Sequence, residues 1–153
     1  MKYYQEAVNF LESLINEAKS HGLEFPNNSI DHLCYRCSTQ QNYQETKEEM
    51  QANGQLLVES LVGGRDIATY KLNQPIIFEN QSIDIIEVPS PKKGSPYDDG
   101  FEHFEVVINE SFSSFMDKYP HLNFSTKALN KDINPDIKIQ LQSGSIKFHQ
   151  QSL

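Results

Sequence analysis

The sequence predicts an α+β protein in which an N-terminal amphipathic helix precedes two β-α-β-β-β halves. Three observations predict it. Residues 3–20, "YYQEAVNFLESLINEAKS", place apolar side chains at 3, 7, 10, 11, 14, 15 and 18, a single stripe at helical spacing. After it, a β-prone run, a helical run and three more β-prone runs follow one another twice, on either side of the Pro/Gly-rich connector "PSPKKGSPYDDG". Each half also opens on the same pair, an acid followed by histidine: Asp31-His32 in "SIDHLCYRC" and Glu102-His103 in "DGFEHFEVVI".

Each element has its own local reason. Gly22 stops the first helix, and Pro26-Asn27-Asn28 makes a loop. Residues 30–37 read as a strand. The next helix is capped by Ser38 or Thr39 and ends at Gly54. Strands follow at 55–62, 65–73 and 82–88, with Gly63-Gly64 as the hairpin signal between the first two. In the second half, 102–109 reads as a strand and "SFSSFMDKY" as a short helix. Three β-prone stretches lie near 122–129, 136–141 and 145–149, the last two joined by Ser143-Gly144. The expected organisation is one domain over residues 1–153. It divides into helix and loop (1–28), first half (29–90), connector (91–101) and second half (102–153).

Composition narrows the partners. A net charge of −8 and a pI near 5.0 repel nucleic acid and anionic membrane, so neither is expected. No apolar run approaches the ~18 residues of a membrane helix, and "MKYYQEAVNF" has no apolar segment of signal-peptide type. A cytoplasmic protein acting on a small molecule is the expectation. Both halves lie in one chain, so a monomer can form a complete site and a homodimer is not required.

The acid–histidine repeat aligns the halves. Alternation puts His32, Cys34 and Arg36 on one strand face, and His103 and Glu105 on the matching face of the second half. Aligning the last strands, "SIDIIEVP" and "GSIKFHQQ", sets Glu87 over His149. The resulting set, His32, Glu87, His103 and His149, has the nitrogen and carboxylate donors that suit a divalent metal: zinc, iron, manganese or nickel. A histidine in a half-buried strand is otherwise a hydrogen-bonded core residue. The symmetric placement of the four is what packing does not predict. By alternation Asp31 and Glu102 face away from the histidines and are not ligands. His21 and His121 fit no repeat and should lie at the surface.

Other polar residues belong to the same expected cavity. Arg36 and Glu105 leave two readings open. They form a buried ion pair, or Arg36 clamps a substrate anion while Glu105 serves as general base. Lys147 shares a face with His149. Arg65 and Lys71, at the ends of "RDIATYK", are candidate substrate contacts, with surface charge the plainer reading. Cys34 and Cys37 have C-x-x-C spacing, but no second such pair completes a zinc knuckle. Within a strand the two would face opposite ways, so they read as small buried side chains in a reducing compartment.

The stretches "DHLCYRC", "GRDIATYKL", "IDIIEVPSPKKGSPYDDGFEHFEVVI" and "IKFHQQSL", in this order, resemble the YecM-like family of small bacterial proteins. That family lies within the vicinal oxygen chelate superfamily of glyoxalase I, extradiol dioxygenases and bleomycin-resistance proteins. The resemblance implies a half-open mixed β-barrel whose cavity holds a divalent metal on His32, Glu87, His103 and His149. It implies a metal-dependent isomerase, lyase or dioxygenase acting on a small oxygenated substrate, or a binding module of the same fold without turnover. His-rich ligation favours zinc. Where many superfamily enzymes have a carboxylate as last ligand, this chain has His149, which cannot readily leave a metal to act as a base.

Overall fold

Helix α1 (Tyr4–Ser20) buries Ala7, Leu11, Leu14, Ile15 and Ala18, the inward part of the predicted stripe. Each large apolar side chain so buried contributes roughly 1.5–3 kcal/mol, so Leu11→Ala would cost about 2–5 kcal/mol. The helix stops at Gly22, where φ is +87°. There Gly22 N–H donates to Lys19 O and Leu23 N–H to Ala18 O, the left-handed ending that only glycine adopts without strain. This computed structural model describes all 153 residues.

The remainder is a seven-stranded mixed sheet with helices against it. The first half runs β1 (Ile30–Arg36), α2 (Gln40–Asn53), β2 (Gly54–Val62), β3 (Arg65–Phe78) and β4 (Gln81–Pro89). Thr39 caps α2 by accepting from Asn42 N–H at 3.0 Å. The second half runs β5 (Gly100–Val107), α3 (Phe112–Asp117), β6 (Asp136–Gln140) and β7 (Ser145–His149). Ser111 caps α3 in the same way.

Spatial order is β2-β3-β4-β1-β5-β7-β6. The two first strands, β1 and β5, are antiparallel neighbours at the centre, and each lies parallel to the last strand of its own half, β4 or β7. β2 and β6 do not pair, so the sheet stays open. One contiguous core runs beneath it, including Leu33, Tyr43, Met50, Ile86, Phe104, Ile137 and Phe148.

The second half departs from expectation at one place. The stretch 122–129 is not a strand. It contributes a single bridge, Ser125 to Lys138, and then a 3-10 turn at Lys127–Asn130. β-Prone side chains there pack without a ladder: Phe124 meets Phe115 and Phe148 edge-on. The second half is therefore one strand shorter than the first.

Two irregularities in the β1–β5 ladder decide the site. Ile30 pairs with Val106, and His32 with Glu105. Asp31 is thus an extra residue on β1. Cys34 pairs with His103, and Tyr35 with Phe101, which makes Glu102 an extra residue on β5. Each is a β-bulge, and a bulge re-aims its side chain. The acids of the repeat therefore escape the alternation that would have turned them away.

Candidate metal centre

The register assembles one polar face. His32 lies opposite Glu105, Cys34 opposite His103 and beside Glu87, and Glu105 beside Lys147. His32, His103 and His149 are all buried, as is Glu105, in a protein where such groups need partners. The expected grouping of His32, Glu87 and His103 is present, and their ligand atoms, with that of Glu105, lie within 4.8 Å of one another. His149 lies outside this group, its Nε2 3.6 Å from Glu105 Oε1, and its ligand atom groups instead with those of Asp31 and His32.

All three imidazoles are held by the same edge. His32 Nδ1 meets Asp31 Oδ2 at 2.9 Å, His103 Nδ1 meets Glu102, and His149 Nδ1 meets Asn134 Oδ1 at 3.2 Å. An oxygen on Nδ1 fixes the proton there and turns the Nε2 lone pair inward. The Nε2 atoms converge on Glu105: 3.0 Å from His32 and 3.3 Å from His103. Glu87 lies 3.5 Å from His32 Nε2. Two of these nitrogens, on His32 and His149, are buried without a hydrogen bond, the carboxylate lying off the direction a ring N–H would need. An orphaned buried nitrogen costs about 1–3 kcal/mol. Oriented Nε2 atoms next to two carboxylates are what a divalent cation requires, so these residues fit a metal.

The acids do more than alternation allowed. Asp31 also accepts from Leu153 N–H at 3.0 Å. Glu102 accepts from Ser145 Oγ at 3.0 Å and pairs with Arg36 at 3.5 Å. Of the two readings left open, the Arg36–Glu105 ion pair does not form: Arg36 is held by Glu102 while Glu105 is enclosed by histidines. Without metal, burial disfavours charge on both sides of the cluster, yet the contacts prevail. His32 is pushed up to about 11 against its burial by Asp31, Glu105 and Glu87. His103 is likewise raised against burial by Cys34, Glu102 and Glu105. Burial raises Glu102 and Glu105, but the histidines bring Glu102 down to about 2 and Glu105 well below the carboxylate range. Without metal these contacts favour protonated rings beside ionised carboxylates, and a metal at Nε2 would take the place of that proton.

The remaining expected residues scatter. Arg65 lies at the rim, donating to Ser90 O and Tyr97 Oη. Lys71 is exposed and 3.8 Å from Asp84. Lys147 is half-buried beside Glu105 in the ladder. His21 and His121 are exposed, as expected. Cys34 and Cys37 are free and buried. Cys34 lies in the polar face between His103 and Glu87, and Cys37 faces Thr46 at 3.5 Å. Sequence reasoning missed Asn134, which has φ +47° and precedes Pro135 in an irregular stretch. Its only sequence signal is that asparagine tolerates a positive φ. Gly144 was read only as a turn, but a Cβ there would meet Glu102 O at 2.6 Å. The turn into β7 thus fixes the backbone that carries Glu102.

Comparison with known proteins bears on the family and the fold. The YecM protein family model matches residues 1–153. An uncharacterised protein of Haemophilus influenzae is 34% identical over 91 residues, 60% of this chain and 48% of that protein. Protein YecM of Escherichia coli K12 is 27% identical over 99 residues, 65% of this chain and 53% of that protein. The chain thus spans about half the length of the curated relatives it matches. Among solved structures, the structural-genomics protein EC4020 superposes with a TM-score of 0.79 at 24% identity, over 94% of this chain and 83% of that one. A variant of Streptomyces coelicolor methylmalonyl-CoA epimerase, in complex with 2-nitronate-propionyl-CoA, superposes with a TM-score of 0.58 at 11% identity, over 84% of this chain and all of that one. These likenesses establish a glyoxalase-like fold, and the family match establishes membership: the chain belongs to the YecM family.

Proposed function

We propose that this member of the YecM family binds a divalent metal, zinc foremost, through His32, His103, Glu87 and Glu105, with His149 as a further donor beside His32. We propose further that it is a metal-dependent enzyme of isomerase, lyase or dioxygenase type. Its substrate would be a small molecule offering two oxygens to the metal. One observation carries the reading: three imidazoles are each held by an oxygen on Nδ1, and two of them, His32 and His103, turn Nε2 to Glu105 beside Glu87, all four ligand atoms within 4.8 Å of one another. Buried ring nitrogens without a well-directed hydrogen bond, on His32 and His149, call for a further partner. A bound metal would supply Lewis acidity toward an oxyanion developing on the substrate.

The chain's own residues do the rest. Asp31, Glu102 and Asn134 hold the rings. Glu87 and Glu102, with side chains 19% exposed, mark the side from which the cluster can be reached, whereas His32 and His149 are sealed. Glu105, if displaced from the ring by a substrate oxygen, is placed to accept a proton from the substrate. A second reading, a binding module without turnover, is favoured by the enclosure of Glu105 among three imidazoles, which leaves it less free than a base should be. Two buried free thiols fit a cytoplasmic protein.

Metal analysis by mass spectrometry on untagged protein tests the site, wild type beside His32→Ala and His103→Ala. The expected result is near-stoichiometric metal in the wild type, lost in both variants with the circular dichroism unchanged. Absence of metal from the wild type after incubation with zinc, iron and manganese would overturn it. Turnover of α-hydroxy acids, α-keto acids or catechols separates the enzyme from the binding module.

A further inference from the structure

Arg36 and Arg65 are the chain's two arginines. They come from different strands, the end of β1 and the start of β3, and both meet Tyr97 of the connector. The Arg36 guanidinium lies over the Tyr97 ring, 4.7 Å from its centroid. Arg65 Nη1 donates to Tyr97 Oη at 2.9 Å and to Ser90 O at 3.2 Å. No acid lies within ion-pair distance of Arg65, and its other donors have no partner. The acid beside Arg36 is Glu102, at 3.5 Å, and Glu102 is already shared with His103 and Ser145. In a chain with 21 acids against 13 basic residues, two neighbouring arginines without full compensation are unexpected. The guanidinium fork matches carboxylate and phosphate oxygens in pairs.

Their position matters as much. β1 and β4 are parallel, so Arg36 ends its strand at the side where β4 carries Glu87 to Pro89. β3 starts there too, with Arg65 close to Ser90. This is the side on which the acids of the metal cluster reach the surface. On the Arg65 side, a groove of about 710 Å³ is lined by Arg65, Ser90, Lys92 and Lys93, with Asp66 as its one acid.

We infer that Arg36 and Arg65, spaced by Tyr97, hold the charged end of a small organic anion, carboxylate or phosphate, whose other oxygens reach the neighbouring cluster. This substrate class rests on the site proposed above, but the anion contact itself does not require metal.

The test is titration calorimetry of the full chain, metal-free and zinc-loaded, with malonate, inorganic phosphate and neutral malonamide. Wild type, Arg65→Lys and Tyr97→Phe are compared, each with its metal content measured. Malonate or phosphate should bind and malonamide should not. Arg65→Lys should weaken the anion at least about tenfold, since it keeps the charge and loses the fork. Tyr97→Phe should weaken it less, and metal content should be unchanged in both. Binding of phosphate without malonate, or the reverse, supports the clamp and assigns the headgroup. Equal anion affinity in wild type and Arg65→Lys, or no anion binding by the wild type, overturns it. Anion binding that persists while no metal is held would retain the clamp and remove the metal reading, so the two failures are separable.

Discussion

In the first half of the sheet, β1 carries His32, a bulged Asp31 holds its Nδ1, and the last strand contributes the carboxylate of Glu87. In the second half, β5 carries His103, a bulged Glu102 holds its Nδ1, and the last strand contributes the imidazole of His149. The inner strands thus repeat one device, while the outer parts diverge. β2 extends the first half with a strand exposed along nearly its whole length, and the corresponding stretch of the second half is a turn. The difference teaches that the proposed site is confined to the four inner strands, β4, β1, β5 and β7. β1 and β5 must keep their bulges, because each delivers both a donor and its support. The outer strands only have to keep the core covered.

The comparison breaks most sharply if the two acids are unequal. Asp31→Asn and Glu102→Gln each remove a carboxylate from Nδ1 without touching a donor. Each should weaken zinc about 10–100-fold, measured by chelator competition. A large effect from Glu102→Gln beside none from Asp31→Asn would mean that the repeat is architectural in the first half. Double substitution should be close to additive in free energy only if the halves act independently.

A smaller effect concerns pH. Glu102 falls to about 2 from an ordinary 4.5, so its contribution to stability is present above about pH 4.5 and is lost as pH falls toward 2. His32 rises to about 11 from an ordinary 6.5, so its contribution is present below about pH 6.5 and is lost as pH rises toward 11. The metal-free protein should therefore be most stable between about pH 4.5 and 6.5. Zinc needs neutral imidazoles, so loading should move the optimum upward. Urea midpoints across this range, with chelator and with zinc, check this. An unmoved optimum would detach the network from metal binding.

The smallest effect sharpens the contrast between centre and edge. Lys71→Ala removes an exposed pair with Asp84 and should cost less than about 0.5 kcal/mol, with metal content unchanged. A loss of metal there would extend the site outward to β3.

Alternation set His32 on one face of its strand and His103 with Glu105 on the matching face of the other, and aligning the last strands added Glu87 and His149; each bulge adds a residue beside its histidine without turning the histidine away. Alternation misplaced Asp31 and Glu102, because a bulge is set by how two strands pair, and pairing is not written in either strand. The same limit hid Arg36's partner: Glu102 is three residues nearer the start of β5 than Glu105, at the bulge opposite the end of β1. The stretch 122–129 misled by composition. Phe124 is β-prone, yet it is spent on the aromatic cluster with Phe115 and Phe148. Asn134 lies in a segment with no periodicity to read.

The bulge has a consequence for how such a site can arise. A single inserted codon beside a strand histidine supplies an acid that turns toward the ring, without shifting the facing of any residue beyond it. The acid–histidine pair is then a movable cassette. It is written on two strands here, and by design it could be written into an unrelated sheet, where one insertion would furnish a histidine with its own support.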